Sequence, residues 1–507
     1  MAQTLGDSLP PRRLYLAVAA AAVAVYLGAL ANRFAMDDLP LIVENPFVAA
    51  PSSVWRAFMM PYWPPDMGGQ LYRPLPVASW ALDRLVDGAP WYHFVNLLWH
   101  AGASVAVAAL AGRLAEGRAA LVAGLLFAVH PVHVEAVANV VGRAELMAGL
   151  FVVLAVYAAL VRESVGWSAA AWALGLACKE NAATFPALVV WAWIVGLARP
   201  PRRRRMVFVA SWAIVGALYA ASRSLVLRPY ARFDTVAPIF FGSSPGVVRL
   251  TALAALADVA RLLVFPLTLR ADYSPAERTV VTSPLDPRAA LGLACLVIWG
   301  ILLAVALRTG RKLEAYGLGW IGIAFLPVAN LLFPVGILIA ERTLYLPSVG
   351  LVLAAGAWLA RLPRGRLVPV AAALVLLGGV RSALRVPVWR DNSTLTLSIL
   401  EDSPESYVGP KRMSELYMER RDPAKALHAA RLALGLSSLD PTTYIAGAAA
   451  ALAAGEPRVA DSLLSALEGL CWRCLGYYRR EAAFARGHGY AAAADSLEAR
   501  ARALETP

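Results

Sequence analysis

The chain has 507 residues, of which 59% are hydrophobic and only 16% charged, with a mean hydropathy of +0.59. Soluble domains carry about a quarter of their residues as charge, so this composition excludes one and predicts a polytopic membrane protein. The net charge of +13 does not imply a nucleic-acid partner, because Lys and Arg gather in short runs between hydrophobic segments, as in cytoplasmic loops.

The first hydrophobic segment, 14–31, is uncharged and long enough to span. It is followed by Asn32-Arg33-Phe34 rather than a small-residue cleavage site, so it reads as an uncleaved span. Further segments fall at 92–112, 119–137, 145–162, 167–179, 181–198, 206–226, 288–307, 314–333, 342–360 and 367–385, giving about eleven candidate spans of an all-α bundle. Five basic clusters lie between them: Pro11-Arg12-Arg13, Arg113 with Arg118, Arg202 to Arg205, Arg308 to Lys312, and Arg361 to Arg366. All five fall inside if the amino terminus is inside and 247–267 does not cross. That stretch carries Arg249, Asp258 and Arg261, so it is expected as a re-entrant or amphipathic helix on the outer side. The outer side then holds the first loop, 32–91, the ends near His130 to Arg143, Lys179-Glu180, 227–287, the turn before Glu341, and everything after about 386.

From about 403 the chain becomes rich in Ala, Leu, Arg and Glu. Ala426, Ala460 and Ala492 recur at spacings of 34 and 32 residues, with Arg421, Gly455 and Gly487 each five residues earlier. With Tyr417 and Leu439-Asp440-Pro441 this forms a tetratricopeptide-like pattern of about three units. The division is therefore a membrane domain, 1–402, and a helical repeat domain, 403–507, on the outer face. Cys178 and Cys295 lie in apolar segments and are expected to pack. Cys471 and Cys474, in the tail, fit a structural disulfide or two idle thiols better than a redox motif.

The polar residues at outer ends of spans are candidates for chemistry. Asp37-Asp38 follows the first span, where adjacent carboxylates are costly unless hydrated or used. A membrane enzyme that deprotonates a hydroxyl acceptor would put its general base there, with either acid in the role. Arg143, Lys179 and Arg342 are the basic residues best placed at outer ends of spans. Ion pairs of Lys179 with Glu180, and of Arg143 with Glu145, are the structural alternative. The spacing His130-x-x-His133-x-Glu135 is not a zinc pattern, so these histidines are expected to shape a cavity by hydrogen bonding. Glu44, Tyr72 and Arg73 are expected to hold the first loop in place, and His93 and His100 to satisfy contacts inside the bundle.

In order along the chain stand Asp37-Asp38, His130-Pro-Val-His-Val-Glu135 running to Val-Gly-Arg143-Ala-Glu145, Lys179-Glu180, and Glu341-Arg342-Thr-Leu-Tyr345-Leu-Pro-Ser348, with Trp389-Arg390-Asp391-Asn392 after the last span. Together they resemble the transmembrane and tetratricopeptide-repeat O-mannosyltransferase family, from about Asp37 to Asn392, in a short prokaryotic-type form. The resemblance implies a GT-C-type glycosyltransferase using a polyprenyl-phosphate monosaccharide, with mannose as the expected sugar, and a Ser/Thr hydroxyl on a polypeptide. It implies that Arg143, Lys179 and Arg342 hold the donor phosphate, Arg by bidentate contact and Lys as a point charge, adds Asp272, Tyr273 and Glu341 as site lining, and leaves open a magnesium or manganese ion between an acid of the pair and the donor phosphate. The repeat domain is then expected to capture the polypeptide. The expected location is the bacterial inner membrane, with the site and repeats on the periplasmic side and membrane lipids around the bundle. The rival reading is a non-enzymatic, membrane-anchored repeat scaffold for envelope assembly, in which the acids have no role.

Overall fold

The computed structural model describes residues 11–67, 69–115, 117–230, 237–264, 266–467, 470 and 474–504. Every regular element among them is helical. Seven helices are long and apolar enough to cross a membrane: Arg12–Ala31, Ala89–Leu114, Val140–Leu160, Arg202–Leu227, Pro287–Arg308, Glu341–Leu359 and Arg364–Trp389. An eighth is possible if Gly117–Val129 and Pro131–Ala138, bent by 47°, form one span. The bend falls at Pro131, which cannot supply the backbone N–H that a continuous helix needs.

The count differs from eleven because three apolar segments form short helices. Val165–Cys178 and Lys312–Phe325 have 14 residues and Phe185–Ile194 has 10, below the ~20 needed to cross a bilayer. Segment 247–267 forms the helix Pro245–Val264, which is not among the membrane-length apolar helices.

Burial separates inner from outer helices. The apolar windows of Val140–Leu160, Glu341–Leu359 and Ala89–Leu114 are 72%, 67% and 61% buried, whereas those of Arg202–Leu227, Pro287–Arg308 and Arg364–Trp389 are each only 11% buried. The first three form the packed centre and the last three present their apolar surface outward, as lipid-facing helices do. Close packing rests on small residues. A Cβ on Gly317 would meet the Gly350 carbonyl oxygen at 2.3 Å, so these two helices touch backbone to backbone.

The bundle has two chemically distinct ends. At one, Arg204 pairs with Glu163, Arg361 with Glu314, and Lys312 donates to the Gly196 carbonyl. These groups belong to the basic loops identified from sequence. The acids, histidines and cations singled out above lie toward the other end.

After the last span, Asp391 caps the helix Asn392–Asp402 by accepting from the Thr394 N–H at 2.8 Å. Six helices follow as three antiparallel pairs: Val408–Glu419 with Pro423–Leu436, Pro441–Ala453 with Pro457–Leu467, and Leu475–Gly487 with Ala491–Ala503. Their turns carry left-handed residues at Arg421, Gly455 and Gly489, a period of 34 residues. Ala426, Ala460 and Ala494 are buried five residues after each turn. The third unit therefore starts two residues later than the spacing through Gly487 and Ala492 implied, and Ala492 is exposed. Cys471 lies outside the described residues, and Cys474 is disulfide-bonded.

The repeat segment is not a free tail. The Ser403 hydroxyl donates to the Asp272 carbonyl at 2.9 Å and the Ser406 hydroxyl to the Asp272 carboxylate at 2.6 Å. The third pair reaches back further still, and Leu475–Gly487 packs on the turn Pro65–Met67 of the first loop.

Candidate functional site

The first loop brings two adjacent carboxylates into different environments. Asp38 is 1% exposed. Its Oδ2 accepts from the Ala35 and Val140 N–H groups at 3.1 and 3.4 Å, and its Oδ1 from Val141 at 2.8 Å. It therefore ties the loop to the start of the span containing Glu145. Burial, opposed by these N–H groups and reinforced by the Asp37 charge, pushes its carboxyl up to about 7. Asp37 is half-buried, and no described residue donates a hydrogen bond to its carboxylate. It interacts electrostatically with the Arg342 guanidinium and the Tyr62 hydroxyl. Of the pair, Asp37 is the one free to meet a substrate.

Around Asp37 runs a connected set of ion pairs. Arg342 pairs with Glu135, whose second oxygen accepts from the Arg342 N–H at 2.8 Å. Lys179 pairs with Glu145, which also accepts from Asn181 Nδ2 at 2.9 Å. Arg73 reaches Glu180 with Nε at 3.0 Å and Nη2 at 2.8 Å, while Arg223 reaches the same carboxylate at 3.3 Å. The Arg73 guanidinium lies 4.9 Å from the Tyr62 ring centre. Glu135 and Glu145 are almost fully buried, whereas the Arg342 and Lys179 side chains keep 31% and 13% exposure. Buried acids thus hold cations that remain partly exposed. That arrangement suits an anionic ligand that arrives and leaves.

The ion pairs join Lys179 to Glu145 and Glu180 to Arg73, rather than linking Lys179 with its neighbour Glu180 or Arg143 with Glu145. Arg143 stands apart from the open cluster. It is 0% exposed, pairs with Asp83, and donates to Asn96 Oδ1 at 2.8 Å, the Tyr92 carbonyl at 2.9 Å and Ser79 Oγ at 3.2 Å. Every guanidinium nitrogen is occupied inside the protein, so the expectation that Arg143 meets a donor phosphate does not fit its surroundings.

The histidines are interior as well. His130 Nδ1 accepts from the Val132 N–H, which leaves Nε2 to donate to the Leu263 carbonyl at 2.9 Å. His133 Nε2 contacts Ser348 Oγ at 2.8 Å, and its ring packs at a tilt against Phe127 and Tyr345. His100 bridges the Tyr345 hydroxyl and the Ala128 carbonyl, both at 3.0 Å. With Glu135 turned to Arg342, the triplet His130, His133 and Glu135 does not converge. No group of three or more His, Cys, Asp or Glu among the described residues is placed to hold a metal ion. Asp37 is the one open carboxylate of its pair.

Glu341 accepts from the Arg270 N–H at 2.6 Å and the Tyr273 hydroxyl at 3.1 Å, forming a small cluster beside Glu135. Asp272 is committed to Ser274 and to the repeat segment. A cavity of about 270 Å³ lies between Met36, Tyr273 and Ile339 on the bundle side and Tyr407, Lys411 and Arg412 of the first repeat helix. It brings the repeat segment next to the residue that precedes Asp37.

Sequence reasoning gave Arg73 a loop-holding role and overlooked Tyr62 and Arg223. Arg223 carried a usable signal, a lone cation near the outer end of an apolar segment. Tyr62 carried none, because its place is set by the folding of the loop over Arg73.

A helical bundle with membrane-length apolar helices and an ion-paired polar cluster defines a multi-pass membrane protein. The chain is similar along most of its length to protein O-mannosyl-transferases. It is 29% identical over 467 residues to human Protein O-mannosyl-transferase TMTC4, covering 78% of this chain and 62% of that protein. It is 28% identical over 381 residues to human Protein O-mannosyl-transferase TMTC3, covering 66% and 41%. Protein O-mannosyl-transferase Tmtc2 of Drosophila melanogaster is 34% identical over 319 residues, 58% of this chain and 33% of that protein. These curated relatives are of the TMTC family, so the resemblance carried by the motifs extends over much of the chain. The chain spans less than two thirds of their length. No family model matches it, and no solved structure matches it.

Proposed function

We propose that the chain is a membrane glycosyltransferase that moves a monosaccharide, mannose, from a polyprenyl-phosphate carrier to a Ser or Thr hydroxyl of a polypeptide at the outer face. The observation that carries this reading is one open carboxylate, Asp37, beside partly exposed cations held by buried acids. The relatives' names supply the reaction class.

In this reading Asp37 takes the proton from the acceptor hydroxyl as its oxygen attacks the anomeric carbon. The bond from that carbon to the phosphate oxygen breaks, and the released polyprenyl phosphate carries the bonding pair. Arg342 and Lys179 stabilise that charge, with Arg73 and Arg223 behind them. The polypeptide approaches along the repeat helices and through the cavity beside Met36, a path supported by the contacts between repeats and first loop. The basic loops at the other end of the bundle support an outer-side site by the positive-inside rule.

Arg342→Ala and Lys179→Ala should each raise the donor KM about tenfold, on the order of the ~1.5 kcal/mol of one charge-assisted hydrogen bond. The acceptor KM should stay within about twofold. The assay varies donor at saturating acceptor and then reverses the roles. A change confined to the acceptor dependence would move these residues to the acceptor side.

A further inference from the structure

The backbone just before Asp37 is held in an unusual conformation by a residue 356 positions away. Met36 has φ +52°, in the left-handed region that a side chain disfavours. Its N–H donates to Asn392 Oδ1 at 2.8 Å. Asn392 is the first residue of the helix Asn392–Asp402, whose start is fixed by Asp391. The same stretch is stitched to the end of the first span. The Arg33 N–H donates to the Arg390 carbonyl at 2.7 Å, and Asn32 Nδ2 to the Val386 carbonyl at 3.4 Å. On the other side of Asp37, Asp38 is fixed by three backbone N–H groups. Asp37 therefore hangs between two anchored stretches, and the residue just before it, Met36, is tied to the helix Asn392–Asp402 by a side-chain amide.

We propose that Asn392 is a positioning residue that locks Met36 in the left-handed conformation and so aims the Asp37 carboxylate at the acceptor hydroxyl. The proposal rests on the reading of Asp37 as the base. A strained backbone persists only where its surroundings over-determine it, and here the Asn392 amide acts with two turn bonds, from the Asp38 N–H to the Ala35 carbonyl at 3.1 Å and from the Leu39 N–H to the Met36 carbonyl at 3.2 Å. Without the Asn392 oxygen, Met36 relaxes toward an ordinary backbone conformation. Asp37 then swings, and the wall that Met36 gives the adjoining cavity moves with it. The donor cations stand on other helices and are unaffected.

The test uses the full-length protein in proteoliposomes, with polyprenyl-phosphate mannose as donor and a Ser/Thr-rich peptide as acceptor. Asn392→Ala should lower kcat by about tenfold to a hundredfold, the scale set by small misplacement of a catalytic group. The donor KM should stay within about twofold. In an Asp37→Asn background the same change should cost nothing further, because the two act as a unit. Adding Met36→Gly to Asn392→Ala should recover about threefold or more, since glycine takes positive φ without penalty. Wild-type kcat in Asn392→Ala beside a disabled Asp37→Asn overturns the positioning role alone. Full activity in Asp37→Asn overturns the base reading on which it rests. Equal losses in both backgrounds, or no recovery with Met36→Gly, show that the effect does not run through Asp37 and also overturn it. Where Asn392→Ala does not fold, Asn392→Gln keeps the amide and displaces its oxygen by one methylene. The same kcat split is expected there, and wild-type kcat in that variant overturns the proposal.

Discussion

Asp37→Asn should lower transfer by about a hundredfold or more while leaving the protein folded and inserted, as expected for loss of a general base. The side chain is half-buried, takes no hydrogen bond from a described residue, and faces Arg342 and Tyr62. Removing its charge leaves no buried donor without a partner. Asp38→Ala should behave in the opposite way, because it leaves the N–H groups of Ala35, Val140 and Val141 without their acceptor. Its main effect should be on the amount and thermal stability of folded protein. Asp38 also has a pH signature. Burial pushes its carboxyl up to about 7 from the ordinary 3.8, so this group weakens the fold as pH rises between those values. Above about 7 the loss is complete. Thermal stability in detergent, followed from pH 4 to 8, should show less of this decline in Asp38→Asn. Two acids that respond alike in rate and stability would contradict the division of roles.

Arg143→Ala should destabilise the fold by about 3–5 kcal/mol, the cost of breaking a buried ion pair. It strands the Asp83 carboxylate, 6% exposed, together with Asn96 Oδ1 and the Tyr92 carbonyl. Arg143→Lys should not rescue it, because one ammonium does not reproduce a guanidinium reaching four partners. Unfolding temperature and folded yield are the readouts. A stable Arg143→Ala protein with a raised donor KM would return this residue to the phosphate site.

Much of the architecture was legible because it follows from composition. Apolar length and basic loops marked the seven long helices, and the cations and acids at outer span ends included Asp37, Glu135, Glu145, Lys179, Glu180 and Arg342. The choice within each set was not legible, because partners distant in sequence decide it. Asp38 is filled by N–H groups about a hundred positions away, and Arg143 is claimed by Asp83, 60 positions earlier. Nothing local distinguishes Arg143 from Arg342, although one is sealed and the other partly open. The register of the third repeat slipped for a different reason. Residues 491–494 are four consecutive alanines, so composition there fits several alignments, and the left-handed turn at Gly489 sets the true one. The tail also read as separable from the bundle. Its bonds to Asp272 and its packing on Pro65–Met67 arise from surface polar residues with no periodic signature.

The central claim is transfer from a lipid-phosphate sugar to a polypeptide hydroxyl by a site built on Asp37. Its most direct test is a single reaction in proteoliposomes containing the purified protein, polyprenyl-phosphate mannose labelled in the sugar, and an outer-face polypeptide substrate. The account predicts labelled mannose in O-linkage to Ser or Thr, with matching release of polyprenyl phosphate, from the wild type and not from Asp37→Asn. Label transferred only from a nucleotide-linked sugar, or equal transfer by both proteins, would contradict it.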